Sequence, residues 1–334
     1  MQRVKLVCLP GAVAAAALAC ATPQLPAAAA SAATVDVHVA AARAAAGSDL
    51  ASLLVLCQPA TTMSAEEDPR YLTTQIHRPA PPPGQAFDNL YFVGAAWVSA
   101  WVLKTSEGFI LIDALDNRAE AAALIEGGMR RLGLDPAQIR LIIVTHGHGD
   151  HYGGVRALVE KYAPRVVMSE RDWRMTETKL DFESPLWDAP PKRDIAVVDG
   201  EDIRLGDTTV TIHLTPGHTF GAISPSFEVR DASGVHRVLL WGGTSFNFGR
   251  DLGRLDAYIE STRRTAELVR REGIDVLISN HSAYDDSLAK LQRLRDAPGA
   301  APNPFVMGTP SVLRALTVMG ECAEAQRDRF LSTP

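Results

Sequence analysis

The chain has 334 residues, enough for one large domain or two ordinary ones, and its 46% hydrophobic and 22% charged residues are the composition of a globular protein with a real core. A formal net charge of −6 argues against nucleic acid or an anionic membrane surface as the main partner. Beyond the N-terminus no run approaches the roughly 18 apolar residues of a membrane span.

The first residues do not read as part of that core. "MQRVK" is a basic stretch, "LVCLPGAVAAAALAC" an apolar one, and "PAAAASAA" offers small-x-small cleavage sites, so residues 1–33 are expected to be a secretory signal and the mature protein periplasmic or secreted. Their removal takes Arg3 and Lys5 but no acid, moving the formal charge from −6 to −8. Ala17-Leu18-Ala19-Cys20 also resembles a lipoprotein cleavage box, with Ala17 where that pattern usually has Leu, which makes lipid anchoring the lesser alternative. Cys8 and Cys20 lie in or beside the signal, leaving Cys57 and Cys322 as either a disulfide or two separately buried thiols.

Residues 34–86 are expected to form an N-terminal arm. Within it 34–47 are Ala-rich, "SDLASLLVLC" suggests a brief helix capped near Ser48 or Asp49, and the proline-rich "RPAPPPGQ" suggests extended chain laid over the surface. From residue 87 to 334 the pattern is that of one domain. "LYFVGAAWVSAWVLKT" and "GFILIDALD" are apolar runs rich in β-branched and aromatic residues, which predict strands. "RAEAAALIEGGMRRLG" has helical spacing and ends at glycine. Then come the strand "RLIIVTH", the helix "HYGGVRALVEKY", the strand "RVVMSE", a long loop around "DFESPLWDAPPKRD", and the strands "TTVTIHLTPGH" and "HRVLLWGG". The helix "LDAYIESTRRTAELVRREG", the strand "IDVLISNH" and two more helices complete the chain, the last opened by Thr309-Pro310. Strands interleaved with helices predict a layered α/β fold.

Three of these strands end in histidine: His146, His218 and His281. Loops at one end of a sheet hold ligand-binding residues rigidly beside one another, so the three ends can converge. The first end, "THGHGDH", adds His148, Asp150 and His151, which puts three of only nine histidines within six residues. Imidazole and carboxylate suit Zn²⁺, and six ligands make three for each of two metals, each keeping a position open for water. A closed structural site more often takes four ligands, commonly with cysteine, and none of these motifs contains one. His38, His77, His213 and His236 fall outside the motifs and read as structural or surface residues.

With these residues in place the sequence resembles the metallo-β-lactamase superfamily. "THGHGDH" matches its H-x-H-x-D-H signature, "TPGHT" its second histidine motif, "LIDALD" the acidic strand end before the signature, and Asn280-His281 its last histidine. The resemblance runs from about Leu90 to Ser282 and implies a four-layered αβ/βα sandwich with a two-metal cleft at one edge. It implies that Asp113 orients a ligand without being one. In glyoxalase-like, lactonase-like and phosphodiesterase-like members a Gly-Asp pair supplies an aspartate bridging both metals, and here that pair is Gly242-Gly243. Two subclasses of zinc β-lactamase supply a cysteine in this region, where this chain has Thr244 and Ser245. The third subclass uses the last histidine of the signature, here His151. By that resemblance His146, His148 and His218 hold the first zinc, and Asp150, His151 and His281 the second.

The activity so implied is the opening of a β-lactam by hydroxide formed on the two zinc ions, with Asp150 orienting it and no serine or cysteine nucleophile. Thr244, Ser245 and Asn247 follow a strand that ends at the expected cleft and are candidates to bind the substrate carboxylate. The wording "WGGTSF" and "NHS" departs from that subclass's usual wording around its substrate-contacting serines and last histidine. Alternatives are an exported two-zinc hydrolase of lactones or other esters, and a non-catalytic zinc-binding module. A diiron oxidoreductase of the same fold carries glutamate where this chain has His148.

Overall fold

The computed structural model describes residues 32–60, 74–75, 78–299 and 301–332. The expected signal lies almost wholly outside them, as do His77 and residues 61–73 of the expected arm.

Two sheets carry the fold. In the first, β1 (Gly84–Phe87), β2 (Leu90–Phe92), β3 (Trp101–Thr105) and β4 (Gly108–Ile112) form an antiparallel meander. It continues in parallel through β5 (Ile139–Ile143), β6 (Arg165–Ser169) and β7 (Ile195–Val197). The second sheet has the order β12-β11-β10-β9-β8, built from β8 (Asp202–Leu205), β9 (Thr208–Leu214), β10 (Ile223–Asp231), β11 (Gly234–Trp241) and β12 (Val276–Ser279). Its strands are antiparallel neighbours except β11 and β12, which are parallel.

The continuous apolar runs form strands because both faces are covered. Ile110, Ile112, Ile143 and Val167 of the first sheet meet Val210, Ile212, Val238, Leu240 and Ile278 of the second in a central core. On the outer face of the first sheet Val102, Leu111 and Ile142 pack under the helical run α2 (residues 118–131, with a π segment at Ala121–Glu126) and α4 (Val155–Tyr162). On the outer face of the second, Leu239, Trp241 and Leu277 pack under α6 (Leu252–Glu272), α9 (Thr309–Ser332) and α1 (Ala32–Ala46). The result is a four-layered αβ/βα sandwich. Asp251 caps α6 by accepting from Arg254 N at 3.0 Å, and Gly273 ends it in the left-handed conformation that glycine adopts freely.

The segment expected as an arm is built into this architecture. Its Ala-rich start is α1, packed on α9, and its Leu-rich piece is a 3-10 turn (Ala51–Cys57) whose Cys57 is disulfide-bonded to Cys322 of α9. The last of it is β1, a strand of the first sheet that ends at residue 87. Burial explains this: Leu50, Leu53 and Leu56 belong to the helical layer of the second sheet. No helix among the described residues is long and apolar enough to cross a membrane.

Topology gathers the motifs. β4 and β5 are parallel, so Asp113 and the signature leave the first sheet at one edge. In the second sheet β9 and β11 are both antiparallel to β10, and β12 is parallel to β11, so β9, β11 and β12 end at the same edge as one another.

Candidate metal centre

The signature loop leaves β5 and turns into the short helix α3 (Gly149–Tyr152), which carries Asp150 and His151. His218 follows β9, and His281 follows β12 at the start of α7 (Ser282–Asp285). The six residues fall into two trios, His146 with His148 and His218, and Asp150 with His151 and His281, each with its candidate ligand atoms within 4.8 Å of one another. His148 Nδ1 lies 3.0 Å from His218 Nε2, and His151 Nε2 lies 3.3 Å from His281 Nε2 and 3.2 Å from Asp150 Oδ2. His146 Nε2 is buried with no hydrogen-bond partner. An orphaned buried nitrogen beside facing imidazole nitrogens is an arrangement a shared cation would satisfy, and nitrogen with carboxylate oxygen is a donor set that suits zinc.

In four of the five rings the nitrogen turned away from the trios has a partner, which fixes that ring's tautomer and direction. His151 Nδ1 donates to Asp113 Oδ2 at 2.8 Å, His218 Nδ1 to Ser245 O at 2.8 Å, and His281 Nδ1 to Trp97 O at 2.8 Å. His146 Nδ1 faces Thr145 Oγ1 at 3.2 Å. Asp113 itself accepts from Thr145 N and Thr145 Oγ1 at 2.8 and 2.9 Å. It sits at φ +61°, with Leu115 at φ +64°, a left-handed conformation costly for leucine and here located beside the site.

Burial, then the neighbouring rings, pushes His146 and His218 well below the usual histidine range and His281 down to about 4, which keeps them neutral and able to ligate. His151 is the exception. Burial opposes its charge, but Asp150 and Asp113 raise it to about 10. Asp150 is lowered in return, against its burial, by His151, His281 and His148.

Of the three candidates for substrate contact, Thr244 is turned inward. It is buried, its hydroxyl pairs with Ser279 Oγ at 3.0 Å and its carbonyl accepts from Tyr258 Oη, so it braces β11 against β12. Ser245 and Asn247 are partly exposed, and Ser245 Oγ lies 3.5 Å from His218 Nδ1. Trp187 covers the signature: its Nε1 donates to Asp116 Oδ1 at 2.7 Å, and its ring occupies the space where a side chain on Gly149 would point. The other described histidines are structural, His213 bonding Ser226, His236 bonding Asp275 and His38 bonding Glu321.

Four residues of the site went unread in the sequence. Asp172 Oδ2 accepts from Gly147 N at 2.8 Å and Thr219 Oγ1 at 2.7 Å, tying the first histidine loop to the second. Asn280 Nδ2 donates to Thr145 Oγ1 and Gly242 O, tying three strand ends. Asp181 lies 3.6 Å from His148 Nε2 and pairs with Arg254, which hold its carboxyl down to about 2 against the effect of burial. The Asn280 position next to a motif histidine was a usable signal; the others are joined to the site only by the fold.

Residues 96–299 match the family model of the metallo-beta-lactamase superfamily. Among curated relatives, a hydroxyacylglutathione hydrolase of Chromohalobacter salexigens is 30% identical over 206 residues, 61% of this chain and 67% of that one. Another, of Rhodopseudomonas palustris, is 36% identical over 108 residues, 32% of this chain and 34% of that one. The chain thus spans between about a third and two thirds of the length of these curated relatives. Among solved structures, a subclass B3 metallo-beta-lactamase of Bradyrhizobium japonicum matches with a TM-score of 0.58 and 31% identity, covering 71% of this chain and 90% of that one. A metallo-beta-lactamase of Cronobacter sakazakii matches with a TM-score of 0.66 over 83% of this chain and 99% of that one, at 23% identity a likeness of fold alone.

Proposed function

The chain belongs to the metallo-beta-lactamase superfamily of hydrolases, and from that premise we propose that it is an exported two-zinc enzyme that opens the amide of a β-lactam. The observation that carries this reading is the pair of three-ligand trios with His151 in the second and no carboxylate between them. At the position where a bridging aspartate would stand, a Cβ on Gly243 would lie 2.7 Å from His218 Cβ, so the backbone here leaves no room for that residue. The likeness to the B3 enzyme of Bradyrhizobium japonicum supports the same substrate class.

His146, His148 and His218 would hold one zinc, and Asp150, His151 and His281 the other. When bound, the metal would supply Lewis acidity and lower the pKa of a water in the cleft toward neutrality. The protein's own part is orientation. Asp113 and the Ser245 and Trp97 carbonyls fix three imidazoles before any substrate arrives, so little reorganisation remains at the moment of reaction. Asp150, held ionised by the rings around it, accepts a hydrogen bond from the attacking water and aims its oxygen at the carbonyl carbon. Water adds to that carbon, the C–N bond breaks, and the nitrogen leaves with a proton. Ser245 and Asn247, at the end of β11, would receive the substrate carboxylate.

Export is part of the proposal. The N-terminal signal pattern and the Cys57–Cys322 disulfide support an oxidising compartment, periplasmic or secreted.

The curated relatives favour a second reading, hydrolysis of a hydroxyacylglutathione thioester, and the closed space at Gly243 weighs against it. Purified mature protein assayed with a chromogenic cephalosporin and with a hydroxyacylglutathione, each with zinc and then with chelator, separates the two. Chelator-sensitive cephalosporin turnover supports the β-lactam assignment, whereas turnover of the thioester alone replaces it.

A further inference from the structure

Four of the five clustered histidines have the outward nitrogen within 3.2 Å of an oxygen from the chain's strand ends and adjoining loops. His148 does not: its Nε2 is buried without a hydrogen bond. The nearest acceptor is Asp181 Oδ2 at 3.6 Å, which comes from the long loop between α5 (Glu170–Thr178) and β7.

That carboxylate is held in place from the opposite side of the cleft. Arg254 of α6 pairs with Asp181 Oδ2 at 2.5 Å through Nη2 and donates through Nη1 to the carbonyl of His218 at 2.9 Å. The Arg254 side chain is 12% exposed and its guanidinium lies over the rings of Phe220 and Phe248, so it is itself fixed. One arginine therefore touches both ends of the first trio, His218 directly and His148 through Asp181. Phe182, the next residue of the loop, packs on the His148 ring with centroids 4.5 Å apart.

We propose that Asp181, anchored by Arg254, is a positioning residue for the first metal trio, taking the His148 Nε2–H and so committing His148 Nδ1 to the cation. A ring with one nitrogen held by carboxylate is fixed in tautomer and made a better donor at the other. The same contact ties metal occupancy to the loop that roofs the site, since Asp181, Phe182 and Trp187 lie within seven residues of one another. This rests on the two-zinc reading above.

The test is zinc affinity, measured by competition with a chromophoric chelator on the full mature chain. D181L is expected to weaken one of the two ions by about 10- to 100-fold and leave the other within about twofold. D181N keeps an acceptor oxygen and is expected within about threefold of wild type; D181L also leaves Arg254 unpaired and lowers the metal-free melting temperature, so the difference between the two ions is the readout. D181L with both affinities intact overturns the assignment, as does equal weakening of both ions, the signature of a structural role. A wild-type chain that holds no zinc instead overturns the metal reading itself, and this assignment with it.

Discussion

Asp113 and His151, 38 residues apart, are joined at the carboxyl edge of the first sheet by a 2.8 Å hydrogen bond between two fully buried groups. The acid at the end of one parallel strand thereby orients an imidazole at the end of its neighbour. D113A removes this acceptor and leaves the imidazole free to rotate, so the affinity for one zinc is expected to fall by about 10- to 100-fold. Chelator competition measures it; two zinc ions held at wild-type affinity would sink the role given to Asp113.

Asp150 is expected to contribute more to turnover than to metal retention, since the second trio keeps two imidazoles without it. D150N should lower kcat by at least about 10²-fold, the usual scale for a positioned proton acceptor, while the protein still holds close to two zinc ions. Unchanged kcat at full metal content would remove Asp150 from the mechanism.

Gly243 tests the substrate class. G243D restores the residue type that bridging members carry at this position, but its Cβ must enter space 2.7 Å from His218 Cβ and displace a ring whose Nδ1 is fixed on Ser245 O. The variant should therefore bind zinc less tightly and lose about 1–3 kcal/mol of stability through overpacking. Tighter zinc binding by G243D would show that the backbone accommodates a bridging acid after all.

The six clustered residues were legible in the sequence because imidazole is rare in this chain and the strand ends spell out the motifs. Asp113 was legible for the same reason, as the polar end of an apolar run. β10 was not. Pro225 and two serines interrupt its pattern, and proline argues against a central strand. The fold tolerates it because Pro225 is paired only on the β9 side, opposite Ile212, while the β10–β11 ladder begins one residue later at Ser226. The inward turn of Thr244 was not legible, because strand position alone does not tell which way a residue after the last ladder bond turns. Asp181 and Arg254 lie 33 and 106 positions from His148, with no local pattern to connect them.

The disulfide ties the 3-10 turn after α1 to the middle of α9, within the helical layer over the second sheet. Its loop spans 265 residues, so cross-linking restricts the unfolded chain strongly, and its loss is expected to cost about 2–4 kcal/mol. Denaturant unfolding of the C57A/C322A double variant against wild type gives the value. Neither cysteine belongs to the two histidine trios, so zinc stoichiometry should not change; loss of zinc would mean that the helical layer and the histidine edge are coupled.

His236 supplies a pH dependence independent of the metals. Its Nδ1 meets Asp275 Oδ2 at 2.7 Å, its Nε2 lies 3.4 Å from Asp231 Oδ1, and together these pin the β10–β11 hairpin to the start of β12. Burial alone would lower this histidine, but Asp275 and then Asp231 raise it above its ordinary 6.5. A raised folded-state value means that the charged form stabilises the fold. That contribution is complete below pH 6.5 and is lost as pH rises through the raised value. H236Q removes it, so the stability gap between wild type and H236Q should be wider at pH 6 than at pH 9, as measured by urea unfolding of metal-free protein. An equal gap at both pH values would mean that the ring, 5.9 Å from that of Phe87, acts there by packing alone.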